Sequence, residues 1–237
     1  MDAKSYSSRG EVDQREVQRG IVAVAGAAAR AAGLYRGDWI TQGGGDSEFA
    51  VLPSTEPEVV VVDRYVRELN AELRRYNARL RPEAWLRLRV AMHFGPLSPA
   101  ELGHAGPAPV VVARLLDSAV LRAALAEVES ANMALLLSER IYQDTVAGLA
   151  TTWRPDEFRE VRVRHKEFDG PAWLCVPGHD VHAIRLPDET VPDETVPDDE
   201  PRREPPTPSG AHNVVRNEIG AVHGQNVVFG MQFGADR

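Results

Sequence analysis

Apolar residues recur at Val17, Ile21, Val24 and Ala28, in steps of four, three and four. That spacing lines one face of an amphipathic helix over residues 12–34, with Gly33 as a stop near its end. Two short apolar runs follow on either side of Gly43, Gly44 and Gly45, which predicts a β-hairpin with strands near 35–42 and 48–52. Pro57 opens a second helix, whose buried stripe is Val62, Tyr65, Leu69, Leu73, Tyr76 and Leu80. Leu86 to Met92 alternates as a strand and runs into His93-Phe94-Gly95. A loop rich in Gly and Pro reaches Pro109, and a third helix covers residues 110–129. A short buried strand at 133–137 comes next, then a helix over 139–149 capped by Ser138. Residues 158–166 and 172–176 form a closing antiparallel pair around Asp169-Gly170.

This order predicts an α/β chain of the α+β class. A strand ahead of the first helix would complete a ferredoxin-like βαββαβ palm with its helices on one face of the sheet. Only Met1 precedes Asp2, so the sequence predicts a first strand that is mostly missing, with the natural start upstream. Two neighbouring strands would then be left with unpaired edges.

After Pro177-Gly178 the composition changes. Asp188-Glu189-Thr190-Val191-Pro192 repeats as Asp193-Glu194-Thr195-Val196-Pro197, and more proline and charge follow to Gly210. Such a segment cannot bury a core and reads as an extended linker. From Asn213 to Gly234 the chain turns apolar again, with Val and Phe among regularly spaced glycines. The expected organisation is therefore a domain at 1–178, a linker at 179–210 and a β-prone tail at 211–237.

Charge narrows the functional classes. The 237 residues carry a net charge of −8, and Asp188 to Glu204 alone holds eight acids against two arginines. That balance argues against nonspecific nucleic-acid binding. No run approaches the length of a membrane-spanning helix, and the polar N-terminus is no signal peptide, so no membrane partner is expected. A single cysteine, Cys175, rules out an intrachain disulfide and points to the cytoplasm.

The glycine-rich hairpin is the first candidate for chemistry. Its tip carries Asp46 beside bare backbone amides, a pairing that suits a divalent metal and a polyphosphate. The plain alternative is a surface turn with an incidental acid. Elsewhere His179 and His182 read as a solvated loop, and Cys175 as a small buried hydrophobe. Arg74, Arg75, Arg79 and Arg81 read as the solvated face of the second helix.

Taken together, several segments over residues 2–176 resemble the class III nucleotidyl cyclase homology domain. They are Asp2 with Tyr6-Ser7-Ser8-Arg9, Gly45-Asp46 on the hairpin, Arg87-Leu88-Arg89-Val90-Ala91-Met92-His93-Phe94-Gly95, and Val110-Val111-Val112-Ala113-Arg114-Leu115. The resemblance implies a homodimer that binds a nucleoside triphosphate and two Mg or Mn ions. Asp2 and Asp46 match the family's metal-binding pair, one ion activating the ribose 3′-hydroxyl while both neutralise phosphate charge. Arg114 matches the arginine that stabilises the pentavalent phosphate, from the partner chain. Gly44 and Gly45 would approach the phosphates, and Lys166 would supply the triphosphate lysine. His93 stands where the family also has His.

Other positions depart from that pattern. The family's Asn before the arginine is Val110, its base-reading lysine is Gln42, and its later base-reading acid falls near Gly103. A pseudo-cyclase that binds nucleotide or partners without turnover is therefore the alternative. Gly44-Gly45-Asp46-Ser47-Glu48-Phe49 is also one serine away from the GGDEF signature of diguanylate cyclases. The other segments of that family are absent.

The tail has its own resemblance. Asn217-Glu218-Ile219-Gly220-Ala221-Val222-His223-Gly224 followed by Val227-Val228-Phe229-Gly230-Met231-Gln232-Phe233-Gly234 resembles bacterial amyloid signalling motifs of the RIP homotypic interaction type, with Phe229 where Gln is common. The resemblance implies cross-β assembly with a receptor bearing the same motif. The alternative is a final strand that docks on the domain.

Overall fold

The computed structural model describes residues 11–44, 47–100, 103–187 and 225–232. The chain has an α+β fold. Its elements run α1 (Glu11–Ala32), β1 (Ile40–Gly44), β2 (Ser47–Val51), α2 (Glu58–Val60), a π-helical turn (Val61–Tyr65), α3 (Val66–Asn77), β3 (Leu88–Pro96), β4 (Ser98–Ala100) and β5 (Gly103–Ala105). There follow α4 (Pro107–Leu116), α5 (Ala119–Glu127), β6 (Met133–Ser138), α6 (Glu139–Tyr142), β7 (Arg159–His165), β8 (Phe168–Cys175) and β9 (Gln225–Gln232). Seven strands make one sheet in the order β1-β2-β9-β3-β6-β8-β7, and β4 and β5 form a separate small pair.

Period-two alternation divides the central strands between two cores. Leu88, Val90 and Met92 of β3, Met133, Leu135 and Leu137 of β6, and Trp173 and Cys175 of β8 face α1, α3 and α6. Ala91, Ala134, Leu136, Ala172 and Leu174 face α4 and α5. Helices thus cover both faces, where the sequence suggested one. The reason is legible in β6, whose every residue is buried. A strand apolar on both sides needs a layer on each.

Local polar contacts set the element ends. Asn77 holds the start of β3 by accepting from Leu86 N–H at 2.7 Å and donating to Leu86 O at 2.9 Å. The buried Arg87 guanidinium donates to the carbonyls of Ala131, Leu125 and Val128. It thereby satisfies carbonyls at the C-terminal end of α5 that the helix leaves open. The single helix expected over 110–129 is two, because Ser118 Oγ donates to Leu115 O at 2.8 Å and accepts from Leu121 N–H at 3.3 Å. One helix is closed and the next capped by the same hydroxyl.

Other expectations shift in detail. Ser138 makes no cap bond to α6. The closing turn lies at Lys166–Glu167, not at Asp169-Gly170, since His165 pairs with Phe168 and Val163 with Gly170. Lys166 takes the positive φ, +52°, that this two-residue hairpin turn requires. Burial also continues past residue 178, with Val181 and Ile184 in the second core. His179 Nε2 lies 3.0 Å from Ser130 Oγ, and His182 Nε2 lies 3.2 Å from Asp156 O, so neither is a bare linker residue.

The largest difference lies in the tail. β9 stands between β2 and β3, antiparallel to both. That is the place and direction of the first strand in a βαββαβ palm, where the sequence suggested two unpaired edges. A β-prone segment with nearest partners on either side satisfies both rows of backbone groups at once. Gln225–Gln232 is part of the sheet rather than free of it, while Asp2 lies outside the described residues.

Candidate functional site

The hairpin positions the first candidate group. β1 and β2 pair from Ile40↔Val51 to Gly44↔Ser47, so Gly45 and Asp46 make up the connection between the paired ends. Asp2, Gly45 and Asp46 lie outside the described residues. Gln42 and Gly43 are exposed on β1. A Cβ built on Gly43 meets nothing within 4 Å, so no packing inside the chain demands glycine there.

On the hairpin itself, a part-buried ion pair that the sequence reading missed joins β2 to the turn before β1. Glu48 is buried among residues of the first core, and Arg36 Nη2 donates to its Oε2. Glu48 Oε1 and Arg36 Nη1 have no hydrogen-bond partner among the described residues. Arg36 also lies 5.4 Å from the centre of the Trp39 ring, which meets Tyr65 edge-on at the same separation. Burial pushes the Tyr65 hydroxyl pKa up, so it stays protonated. The signal was available: Glu48 shares the face of Ala50 and Leu52, where an acid is out of place unless paired.

The second candidate group sits at the other edge of the sheet. Arg114, in the last turn of α4, donates through Nε at 3.1 Å and Nη2 at 2.9 Å to Oε1 of Glu167. Glu167 follows Lys166 in the β7–β8 turn, so Arg114 is tied to the turn that carries Lys166. The Glu167 carboxyl is held below its ordinary range by a hydrogen bond from its own backbone and by Arg114. Val110, where the resemblance calls for Asn, is exposed on α4.

These two groups are far apart within one chain. β1 and β7 are the opposite edges of the seven-stranded sheet. Six strand steps separate them by about 29 Å at the usual strand spacing. Gln42 and Gly44 therefore do not meet Lys166 and Arg114 in one chain.

A third cluster stands where the parallel strands β3 and β6 end. His93 Nδ1 lies 2.9 Å from Ser138 Oγ, and the Arg140 guanidinium lies 4.4 Å from the centre of the Phe94 ring. Burial, and next the Arg140 charge, lower the His93 pKa to about 4, so the ring is neutral at pH 7. A Cβ at Gly95 would come within 2.6 Å of His93 Nε2, so a larger residue there would displace the ring. The Cys175 thiol is buried and its pKa is pushed up by that burial, which leaves it a packing residue.

Among the described residues no three His, Cys, Asp or Glu side chains group as a metal site. No helix among them is long and apolar enough to cross a membrane. Comparison of the chain with protein-family models, curated proteins and solved structures finds no match.

Proposed function

We propose that this chain is a cytoplasmic signalling effector whose domain is a divergent nucleotidyl cyclase-like module. It works as a homodimer on a nucleoside triphosphate and is recruited through its C-terminal motif. The observation that supports it best is the contact of Arg114 with Glu167, in the turn that also carries Lys166, across the sheet from the hairpin. A site for a polyphosphate needs both groups, and one chain cannot bring them together. In a two-fold dimer each corner meets the partner's hairpin, which makes two equal sites.

In that arrangement the chain's own residues have separable tasks. Arg114, a planar and permanently charged fork, exchanges Glu167 for phosphate oxygens and stabilises charge that grows in the transition state. Lys166 supplies a point charge for the terminal phosphate. Amides of the Gly43–Gly45 run bind phosphate oxygens, and Gln42 reads the base edge through its amide. Two carboxylates, Asp46 with Asp2, are a fitting donor set for hard Mg or Mn ions. When bound, such ions would lower the pKa of the attacking hydroxyl and neutralise phosphate charge.

A second reading has its own support. β9 holds the place of the strand that would carry Asp2, and Val110 replaces the expected Asn. A nucleotide-binding pseudo-cyclase fits those facts. Incubation with each nucleoside triphosphate and Mn²⁺ or Mg²⁺, with dispersed and with assembled protein, separates the two. Cyclic product lost in Arg114→Ala supports the enzyme; binding without product supports the pseudo-enzyme, and neither binding nor product overturns both.

A further inference from the structure

The last strand in the sequence lies inside the sheet. β9 pairs with β2 from Ser47↔Gln232 to Val51↔Val228 and with β3 from Arg89↔Gln232 to Pro96↔Gln225. β2 and β3 are not neighbours, so among the described residues β9 alone joins the β1–β2 hairpin to the ladder of β3, β6, β8 and β7. The chain reaches this strand after residues 188–224, a stretch carrying the repeated Asp-Glu-Thr-Val-Pro units. That length spans on the order of 120 Å when extended. Nothing in the connection's length ties the strand to its own domain.

We propose that the slot between β2 and β3 takes the strand Gln225–Gln232 from a second copy of this chain as well as from its own. The ladder contacts are the same in both cases, so the effective concentration of the tethered strand decides between them. For a tether of this length that concentration is about a millimolar or below, and it falls as the tether lengthens. Dilute chains close on themselves. Chains gathered above that concentration exchange strands, reciprocally into two-fold dimers or head-to-tail into open arrays. Clustering is thereby converted into assembly without a new interface. The inference takes its occasion from the proposed tail-mediated recruitment, but its basis is the strand register and not the cyclase reading.

Cysteine trapping in the full chain tests it. Ser47 and Gln232 face each other across β2 and β9. Ser47→Cys/Gln232→Cys in one chain should form an intrachain disulfide at low concentration. A mixture of the two single variants should form interchain disulfides, rising at least about tenfold from ~10 μM to ~1 mM. Ala50→Cys with Phe229→Cys, the pair three positions along, repeats the test if the first variant folds poorly. An intrachain disulfide in the double variant with none in the mixture at the highest concentration overturns exchange. No disulfide in either pair, with folded protein, overturns the docking itself. Nucleotide turnover is not read in this assay, so its failure is distinct from failure of the enzyme reading.

Discussion

Arg114 and Glu167 form a two-bond contact through one carboxylate oxygen, at 3.1 and 2.9 Å, that ties the end of α4 to the β7–β8 turn. In the proposed chemistry, Glu167 holds the place on Arg114 that a phosphate oxygen would take. Glu167→Gln should leave the melting temperature unchanged and tighten binding of a non-hydrolysable triphosphate analogue. Arg114→Ala should cost a cyclase about 10²–10³ in turnover. Weaker analogue binding in Glu167→Gln would count against the placeholder role.

His93 gives a pH dependence with a definite sign. Its folded pKa, about 4, lies below the ordinary value, so the unfolded chain takes up the proton first. Stability should therefore fall as pH drops from about 6.5 to about 4 and level off below that for this group. The contribution is on the order of 1 kcal/mol after allowance for the ring's partial exposure. Denaturant unfolding of His93→Gln across that window should show a shallower slope, and an unchanged slope would sink the assignment.

Asp63 acts in a lower window. Its carboxylate accepts from Thr152 N–H at 2.7 Å, Thr152 Oγ at 2.8 Å and Arg67 Nε at 2.8 Å. Burial alone would raise its pKa, but these hydrogen bonds outweigh it and hold the carboxyl below its ordinary range. The stabilisation is present above about pH 4 and is lost as pH falls through the folded value. Asp63→Ala should cost about 2 kcal/mol at pH 7, because the Thr152 N–H loses its acceptor. Asp63→Asn should flatten the acid limb of a thermal-unfolding series.

Val228 separates the two readings of the tail. It pairs with Val51 on one side and His93 on the other, in the middle of the sheet. If β9 is a strand of the domain, Val228→Asp should lower the melting temperature by roughly 5–10 °C. If the tail acts only as a homotypic motif, the same change should abolish fibrils of the tail peptide and leave the domain's melting unchanged.

For catalysis, Asp46→Ala is the decisive substitution. A cyclase that keeps its turnover without Asp46 does not use the hairpin carboxylate for metal, and the mechanism proposed above fails.

Periodicity alone determined most of the local structure. Of the expected stripe, Val62, Tyr65, Leu69 and Leu73 are buried and Tyr76 half-buried, while Leu80 is exposed beyond the end of α3; Met133–Leu137 is a buried strand, and Glu11–Ala32 is a helix. Those patterns are short-range, and the hydrophobic period identifies them without knowledge of their partners. The meeting of Arg114 with the Lys166–Glu167 turn was not legible, since the residues lie far apart in sequence and meet only through packing of α4 on the sheet. Nor was the Arg36–Glu48 pair. The place of β9 was decided by tertiary structure alone. A segment of Val, Phe and Gly specifies that it will pair as a strand, but not with what, because backbone hydrogen bonds carry no address. The address came from two open strands, β2 and β3, that only the folded domain sets side by side.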